Sequence, residues 1–180
     1  MIGDIRANGF VDRSLRDIAA AVGSSHRMLI YHFGSREGLL EAVVTAELTA
    51  SRAADATLFD RSDGSGIRAR WERDQEPDAQ ALDPLFYELA ALAARHTDET
   101  KRFRDEYVEP WLELCARAAE AAGDDPAAWR MITRLDVAVL VGLQLDRLLT
   151  GDDEVESAFQ AYEAMRRLLI ARHRGRATDD

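Results

Sequence analysis

Residues 14–40, SLRDIAAAVGSSHRMLIYHFGSREGLL, decide the fold of this chain of 180 residues. Ser14 is a favourable helix N-cap, and Asp17 stands three residues later, where it can place an acceptor near the exposed N–H groups of the first turn. Apolar residues then recur with the spacing i, i+3, i+4 and i+7, namely Leu15, Ile18, Ala19 and Val22. This pattern predicts a short amphipathic helix with one face turned into a core.

A tight glycine turn separates this helix from a second one. Gly23 lacks a Cβ and therefore suits the left-handed conformation that ends many helices. Ser25 can cap a new helix that begins at His26. Within that helix, Leu29 and Phe33 lie one turn apart and can pack on the first helix. Two short helices joined in this way indicate a helix-turn-helix.

The second helix turns toward solvent a face that is suited to nucleic acid. The residues on this face are Arg27, Met28, Ile30, Tyr31 and His32. A hydrated surface is the alternative interpretation, but Met and Ile are poor choices for contact with water alone. In a major groove, Arg can read guanine, methyl-bearing side chains can contact thymine methyl groups, and Tyr or His can hold phosphate oxygens. We therefore interpret this segment as a recognition helix.

A third helix should begin after Ser35, which can cap it, while Glu37 places a negative charge in its first turn. Arg36 is well placed there for a phosphate. The apolar residues of this helix cover more than one face, as shown by Leu39, Leu40, Val43, Val44 and Leu48. We expect the helix to be buried between the N-terminal DNA-binding helices and the rest of the chain. Its movement there would change the distance between the two DNA-binding domains of a dimer.

The same motifs resemble the signature of the TetR (tetracycline repressor) family of bacterial one-component regulators. The match is in register from about Gly9 to Val44 and comprises Gly23-Ser24-Ser25, Leu29, Tyr31-His32-Phe33 and Ser35-Arg36-Glu37-Gly38-Leu39-Leu40. Met28 and Ile30 depart from it, since the family often has a small hydroxyl residue and a tyrosine there. The resemblance implies an all-α fold with an N-terminal three-helix DNA-binding domain and a helical ligand-binding and dimerisation domain.

We predict DNA-binding and C-terminal domains at residues 1–46 and 47–180. In the resembled family the first helix is longer, so we expect this chain to begin within it. Arg16, Arg27, Tyr31 and His32 are the main candidates for DNA contact, with Arg36 and the N–H groups near Ser14 and Ser35 holding phosphates. The full predicted DNA-binding set is Ser14, Arg16, Ser25, His26, Arg27, Met28, Tyr31, His32 and Arg36.

The net charge of −10 is distributed unevenly along the chain. Residues 1–52 carry six arginines and six acidic residues, so the acidic surplus lies beyond them. Between Arg13 and Arg36 four arginines face a single acid, Asp17, which makes the predicted docking surface locally positive. Such a chain should bind DNA only through that surface, and more weakly as the salt concentration rises.

The composition argues against several other classes of protein. No apolar run of about 18 residues and no export leader is present, so we expect a cytoplasmic protein without a membrane span. The one cysteine, Cys115, cannot form an internal disulfide, and we interpret it as a small buried hydrophobe, with redox sensing as the alternative. The four histidines are scattered, and no glycine-rich phosphate loop follows a strand. We therefore predict no enzymatic activity, no metal site and no cofactor.

Aromatic residues surround a predicted helix break in the C-terminal part. A long helix should begin near Asp98 and run to about Ala122, and Pro110 should kink it. A kink beside aromatic side chains opens space for a small apolar or aromatic effector. The predicted lining is Trp71, Phe86, Tyr87, Tyr107, Trp111 and Cys115. For any single one of these residues, an ordinary place in the core is the alternative.

The last two helices carry more apolar surface than one chain can cover. The segment 129–149 is apolar nearly all round, and a final amphipathic helix follows it. Two such helices suggest a four-helix bundle with a second copy, and in the resembled family the last two helices form the dimer interface. The predicted interface residues are Val139, Leu143, Asp146, Phe159, Tyr162, Met165 and Leu169. A hairpin core within one chain is the alternative.

Together these features predict a transcriptional repressor that binds a palindromic operator as a homodimer and is released by a small-molecule effector. A dimer would present its two recognition helices about 34–36 Å apart to successive major grooves. The alternative is a ligand-binding or scaffold protein of regulator ancestry that no longer binds DNA.

Overall fold

The computed structural model describes residues 1–10, 12–56, 65–95, 98–151 and 154–176. Within these ranges the chain forms helices and short connections and no strand, as the predicted all-α fold requires. The helices are α1 (Ile2–Asn8), α2 (Leu15–Ala21), α3 (His26–Phe33), α4 (Arg36–Asp55), α5 (Gly66–Asp74), α6 (Pro77–Gln80), α7 (Asp83–Ala93), α8 (Lys101–Tyr107), α9 (Glu109–Ala122), α10 (Pro126–Thr150) and α11 (Glu154–Arg176).

The chain divides into two compact units that do not follow the predicted boundary at residue 46. Unit 1 comprises Met1–Ala50 and Gln75–Tyr107, and unit 2 comprises Ser51–Asp74 and Val108–Asp180. The reason lies in the core of unit 1, where α7 and α8 share one apolar cluster with the N-terminal helices. Its members include Ile5, Phe10, Ile18, Leu29, Leu39, Leu40, Leu85, Leu89 and Phe103.

Unit 2 is built from α5, α9, α10, α11 and the end of α4. The indole ring of Trp71 on α5 stacks on the ring of Phe159 on α11, with centroids 4.5 Å apart. Deeper in the unit, Asp136 accepts hydrogen bonds from Arg166 and from the hydroxyl of Tyr162, each at 2.7 Å. These contacts fix α11 against both α5 and α10, because each pair joins residues from different helices.

The predicted long helix with a kink at Pro110 is wrong. The chain instead breaks at Val108, so that α8 ends at Tyr107 and α9 begins at Glu109. Pro110 lies in the first turn of α9. A proline has no N–H to donate, and the first turn of a new helix is where that loss costs least. Pro84 occupies the same place in α7, as its sequence position predicts.

None of the helices in the described part of the chain has the length and apolar character that crossing a bilayer requires.

The turn between α3 and α4 depends on a close backbone approach. A Cβ atom on Gly38 would lie 2.0 Å from the carbonyl oxygen of Phe33, the last residue of α3. Real Cβ atoms do not approach a backbone oxygen so closely, so any side chain at this position must push α3 and α4 apart. Glycine at residue 38 therefore sets the distance between these two helices.

We predict that Gly38→Ala lowers the free energy of unfolding by about 1–3 kcal/mol, because the added methyl group overpacks rigid backbone. Chemical denaturation followed by circular dichroism measures the change. Gly3→Ala is the matched control, since a Cβ on Gly3 in α1 meets nothing within 4 Å. It should be neutral or stabilising by up to ~1 kcal/mol. Equal destabilisation by the two substitutions would contradict the close approach.

Candidate nucleic-acid interface

Ser14 caps α2 as predicted, and together with Asp17 it forms a capping box. The Ser14 hydroxyl accepts a hydrogen bond from the backbone N–H of Asp17 at 3.3 Å, and the Asp17 carboxylate accepts one from the Ser14 N–H at 3.1 Å. Hydrogen bonds from Ser14 hold the pKa of Asp17 below its ordinary value. Ser14 and Asp17 thus pair with each other at the start of α2, so the polar atoms of Ser14 already take part in hydrogen bonds within the protein.

Helix α3 is held by its ends and by one buried anchor. The Ser25 hydroxyl accepts a hydrogen bond from the Met28 N–H at 3.2 Å, and the helix ends at Gly34, whose φ is +73°. Leu29 is only 5% exposed and belongs to the core of unit 1, and Phe33 packs against the same core. Because one side of α3 is fixed in this way, its opposite side is displayed in a defined orientation.

The displayed side of α3 carries the residues that the sequence analysis assigned to it. Tyr31 is 79% exposed, Met28 45% and Ile30 38%. His26, Arg27 and His32 are exposed as well. The rings of Tyr31 and His32 meet edge to face, with centroids 5.1 Å apart. The face thus combines hydrogen-bonding groups with apolar groups, as a surface that reads base edges requires.

Two of the four arginines in the segment from Arg13 to Arg36 are engaged inside unit 1. Arg13 pairs with Asp4 at 2.8 Å, and this contact lowers the pKa of the Asp4 carboxyl. Arg36 pairs with Glu88 on α7 at 2.8 Å. Its guanidinium carbon also lies 4.4 Å from the ring centroid of Phe10. Arg36, predicted to hold a phosphate, links α4 to α7 in this structure.

Arg16 and Arg27 are therefore the arginines of this segment that face solvent. Both are exposed, and in the described ranges neither takes part in a hydrogen bond or an ion pair. The positive bias of the docking surface comes from these two side chains, whereas the sequence count suggested four. Counting charges along the sequence does not show which arginines are paired, because Asp4 and Glu88 lie 9 and 52 residues away from the arginines that they neutralise.

The residues predicted to line an effector pocket are divided between the two units. In unit 1, Phe86 packs against Tyr87 and Tyr107, with ring centroids 5.2 and 5.9 Å apart. Burial raises the pKa of Tyr107. Trp71, Trp111 and Cys115 belong to unit 2. Cys115 is buried, and burial raises its pKa to about 11, so the thiol stays protonated and unreactive at neutral pH.

Unit 2 contains a small cavity beside one residue of the predicted pocket. Its volume is about 20 Å³, and Trp111 forms part of its wall. Arg70 covers the ring of Trp111 at 4.1 Å and pairs with the buried Asp55 at 2.6 Å. The other lining residues are Gly66, Ile67, Thr133, Asp136, Val137 and Leu140. The cavity is thus mainly apolar, with a few buried polar groups at its edge.

A wider cavity in unit 1 was not predicted. It has a volume of about 180 Å³, and its lining comprises Asn8, Gly9, Phe10, Asp12, Arg13, Ala81, Pro84 and Leu85. Its walls come from two segments about 70 residues apart, which no local pattern connects. Several of these residues are exposed, so a ligand bound there would stay largely hydrated.

The residues predicted to form a dimer interface face in different directions. Phe159 is fully buried against Trp71, and Leu143 packs against the same cluster. Tyr162 is half-buried and donates its hydroxyl proton to Asp136. These three side chains serve the interior of their own unit. Asp146 and Met165 are exposed, and Val139 and Leu169 are half-buried.

An exposed apolar stripe nevertheless runs along both α10 and α11. On each helix its residues recur every three or four positions, which keeps them on one side. The stripe of α10 consists of Met131, Leu135, Ala138, Gly142, Leu145 and Leu149, and that of α11 consists of Ala158, Ala161, Met165 and Leu168. The sequence alone did not isolate this stripe, because α10 is apolar on its buried side too.

Comparison with known proteins identifies the N-terminal helices. Residues 5–43 match the family model described as bacterial regulatory proteins, tetR family. The match begins in α1, includes all of α2 and α3, and ends within α4, so it contains the whole exposed face described above. No curated protein sequence matches the chain significantly.

Two solved structures are similar to the chain over most of its length. One is a TetR transcriptional regulator from Legionella pneumophila, with 18% identity, coverage of 91% of each chain and a TM-score of 0.62. The other is described as a TetR-family transcriptional regulator from Mesorhizobium loti MAFF303099. The alignment covers 94% of this chain and 91% of that chain, with 17% identity and a TM-score of 0.65. At these identities the likeness shows a shared fold.

The matched N-terminal domain is the one that binds DNA in this family, and the fold of the chain is shared with two of the family's regulators. Residues 5–43 therefore form a DNA-binding domain of the tetR family of bacterial regulatory proteins, and the chain as a whole shares its fold with two solved structures that are described as TetR regulators.

Proposed function

We propose that the protein is a repressor that binds a palindromic operator as a dimer and leaves it when a small apolar or aromatic effector binds. The observation that carries the proposal is the displayed side of α3, with Arg27, Met28 and Tyr31 exposed opposite the buried anchor Leu29. Because chromosomal DNA would be its target, we place its action in the cytoplasm.

Electrostatics support binding through this one surface. The protein carries a net charge of −10, so most of its surface repels DNA. Arg16 and Arg27 are exposed, have no internal partner among the residues that the structure describes, and can neutralise phosphates or read a base. Affinity should therefore depend strongly on these two side chains and on salt.

We predict that Arg27→Gln and Arg16→Gln each weaken binding to DNA from the protein's own upstream region. Loss of a base contact by Arg27 should cost about 1–3 kcal/mol. Loss of a phosphate contact should reduce the slope of log affinity against log salt by ~0.9. Fluorescence anisotropy over a range of salt concentrations measures both quantities.

Arg117→Gln is the control for that experiment, because it removes one exposed positive charge from α9 in unit 2. It should leave affinity and slope nearly unchanged. Equal losses in all three variants would indicate a nonspecific charge effect. A wild-type chain that prefers no sequence would favour the alternative, a ligand-binding or scaffold protein.

The exposed stripes of α10 and α11 support dimerisation. They present large apolar side chains to water, among them Leu149, Met165 and Leu168. Monomeric proteins rarely display contiguous apolar surface of this kind, and two antiparallel helix pairs can bury it in a four-helix bundle. We therefore centre the proposed interface on these stripes, with Val139, Asp146 and Leu169 beside them.

We predict that Leu168→Glu converts the dimer to monomers, since it places a charge within the proposed interface, where Leu168 is 73% exposed in the single chain. Light scattering coupled to size-exclusion chromatography measures the mass. Ala91→Glu adds the same charge at an exposed position of α7 and should leave the mass unchanged. A Leu168→Glu protein that stays dimeric would move the interface elsewhere.

The cavity in unit 2 supports effector binding there. At about 20 Å³ it holds roughly one water molecule, so a larger ligand must separate the helices that line it. Such a ligand binds the opened conformation more tightly than the closed one, and only this difference in affinity can release DNA. The wider cavity in unit 1 is more open and less apolar, which makes it the less suitable site.

We predict that Val137→Phe, which fills this cavity, weakens effector binding at least tenfold while the affinity for DNA is unchanged. Thermal-shift screening of small aromatic compounds supplies the effectors, and release of labelled DNA gives the readout. Val137→Ala enlarges the same cavity and should retain or strengthen the response. Unchanged release from the Val137→Phe protein would place the effector elsewhere.

A further inference from the structure

Two apolar side chains on the displayed side of α3 are not explained by packing. Met28 and Ile30 are both exposed, and in the described part of the chain neither belongs to an apolar core cluster. Leu29, between them, provides the anchor that holds α3 on unit 1. Exposure of Met28 and Ile30 therefore does not stabilise the fold. We attribute it to a molecule that binds to the displayed side of α3.

The helix geometry places these two side chains on opposite sides of a polar ridge. Arg27 and Tyr31 are four residues apart and lie one above the other on α3. With about 100° of rotation per residue, Ile30 lies ~80° to one side of their midline and Met28 ~80° to the other. When the ridge enters a major groove, each apolar side chain faces a different wall of that groove.

The major groove offers one apolar group on its base edges, which is the methyl group of thymine. Cytosine carries only a hydrogen at C5, where thymine carries its methyl group, so an apolar side chain placed there buries less apolar surface against cytosine. Met or Ile against thymine instead buries methyl groups on both partners. The same two side chains thus favour thymine over cytosine.

Resting on the DNA binding proposed above, we propose that Met28 and Ile30 read thymine methyl groups, so that each operator half-site carries a thymine on either side of the position contacted by Arg27. The apolar contacts supply discrimination, and Arg27 supplies the central polar contact.

A protein partner for this patch is the competing interpretation. Among the described residues, the apolar part of the patch comprises Met28, Ile30 and the ring of Tyr31, and it encloses the cation of Arg27, which has no partner there. Protein interfaces are depleted of charge at their centre, whereas a cation between apolar groups fits a groove lined by phosphates. The structure therefore favours DNA over a protein at this surface.

The test begins with selection of binding sites from random duplex DNA by the full-length wild-type chain. Each thymine of the enriched half-site is then replaced by deoxyuridine, which removes the methyl group and keeps every hydrogen-bonding atom. We expect two of these replacements to weaken binding about fourfold each, the value for one buried methyl group. Deoxyuridine in the spacer between half-sites should have no effect.

Protein variants then assign each methyl group to a side chain. In Met28→Ala one of the two deoxyuridine penalties should disappear, and in Ile30→Ala the other should disappear. Ser24→Ala, an exposed change in the turn before α3, should retain both penalties. Circular dichroism verifies folding, and Met28→Leu, which keeps an apolar side chain, should preserve a penalty.

The outcomes separate this inference from the proposed function. Failure to enrich any sequence would overturn both. An enriched site that tolerates deoxyuridine everywhere would overturn methyl reading and leave DNA binding intact, as would penalties that persist in both alanine variants. If Met28→Ala abolished binding to a protein partner and left the preferred DNA sequence unchanged, the patch would be assigned to that partner and methyl reading would be overturned.

Discussion

The N-terminal helices cannot bury an adequate core among themselves, and this constraint shapes unit 1. Helices α1, α2 and α3 contain only seven or eight residues each, a length at which isolated helices are barely stable. They become ordered against Leu85 and Leu89 of α7 and Phe103 of α8. The displayed side of α3 is thus supported by segments that follow it by about 50 to 70 residues in the sequence.

Two further contacts make this support specific. The close approach of Gly38 to Phe33 sets the distance between α3 and α4. Arg36 at the start of α4 reaches Phe10 on one side and Glu88 on the other. Together these contacts determine the orientation in which the displayed side of α3 is presented, so the geometry of this surface is a property of all of unit 1.

The sequence predicts local structure well because local signals are short-range. The caps at Ser14 and Ser25 and the first-turn proline Pro84 are read from neighbouring residues, and the structure has each of them. The partner of Arg36 and the buried place of Phe159 depend on residues far away in the chain, which periodicity does not specify. Pro110 shows the limit clearly, since the same residue can kink a helix or begin a new one.

The uncovered stripes of α10 and α11 have a consequence for the life of the protein. In the proposed dimer, where they are buried between two copies, pairing and folding would be linked by mass action, and the temperature of unfolding would rise with the concentration of the protein. A newly made chain without a partner would display surface that chaperones and proteases recognise. Scarcity would thus shorten the lifetime of each copy, and the cell could not maintain this protein at arbitrarily low abundance.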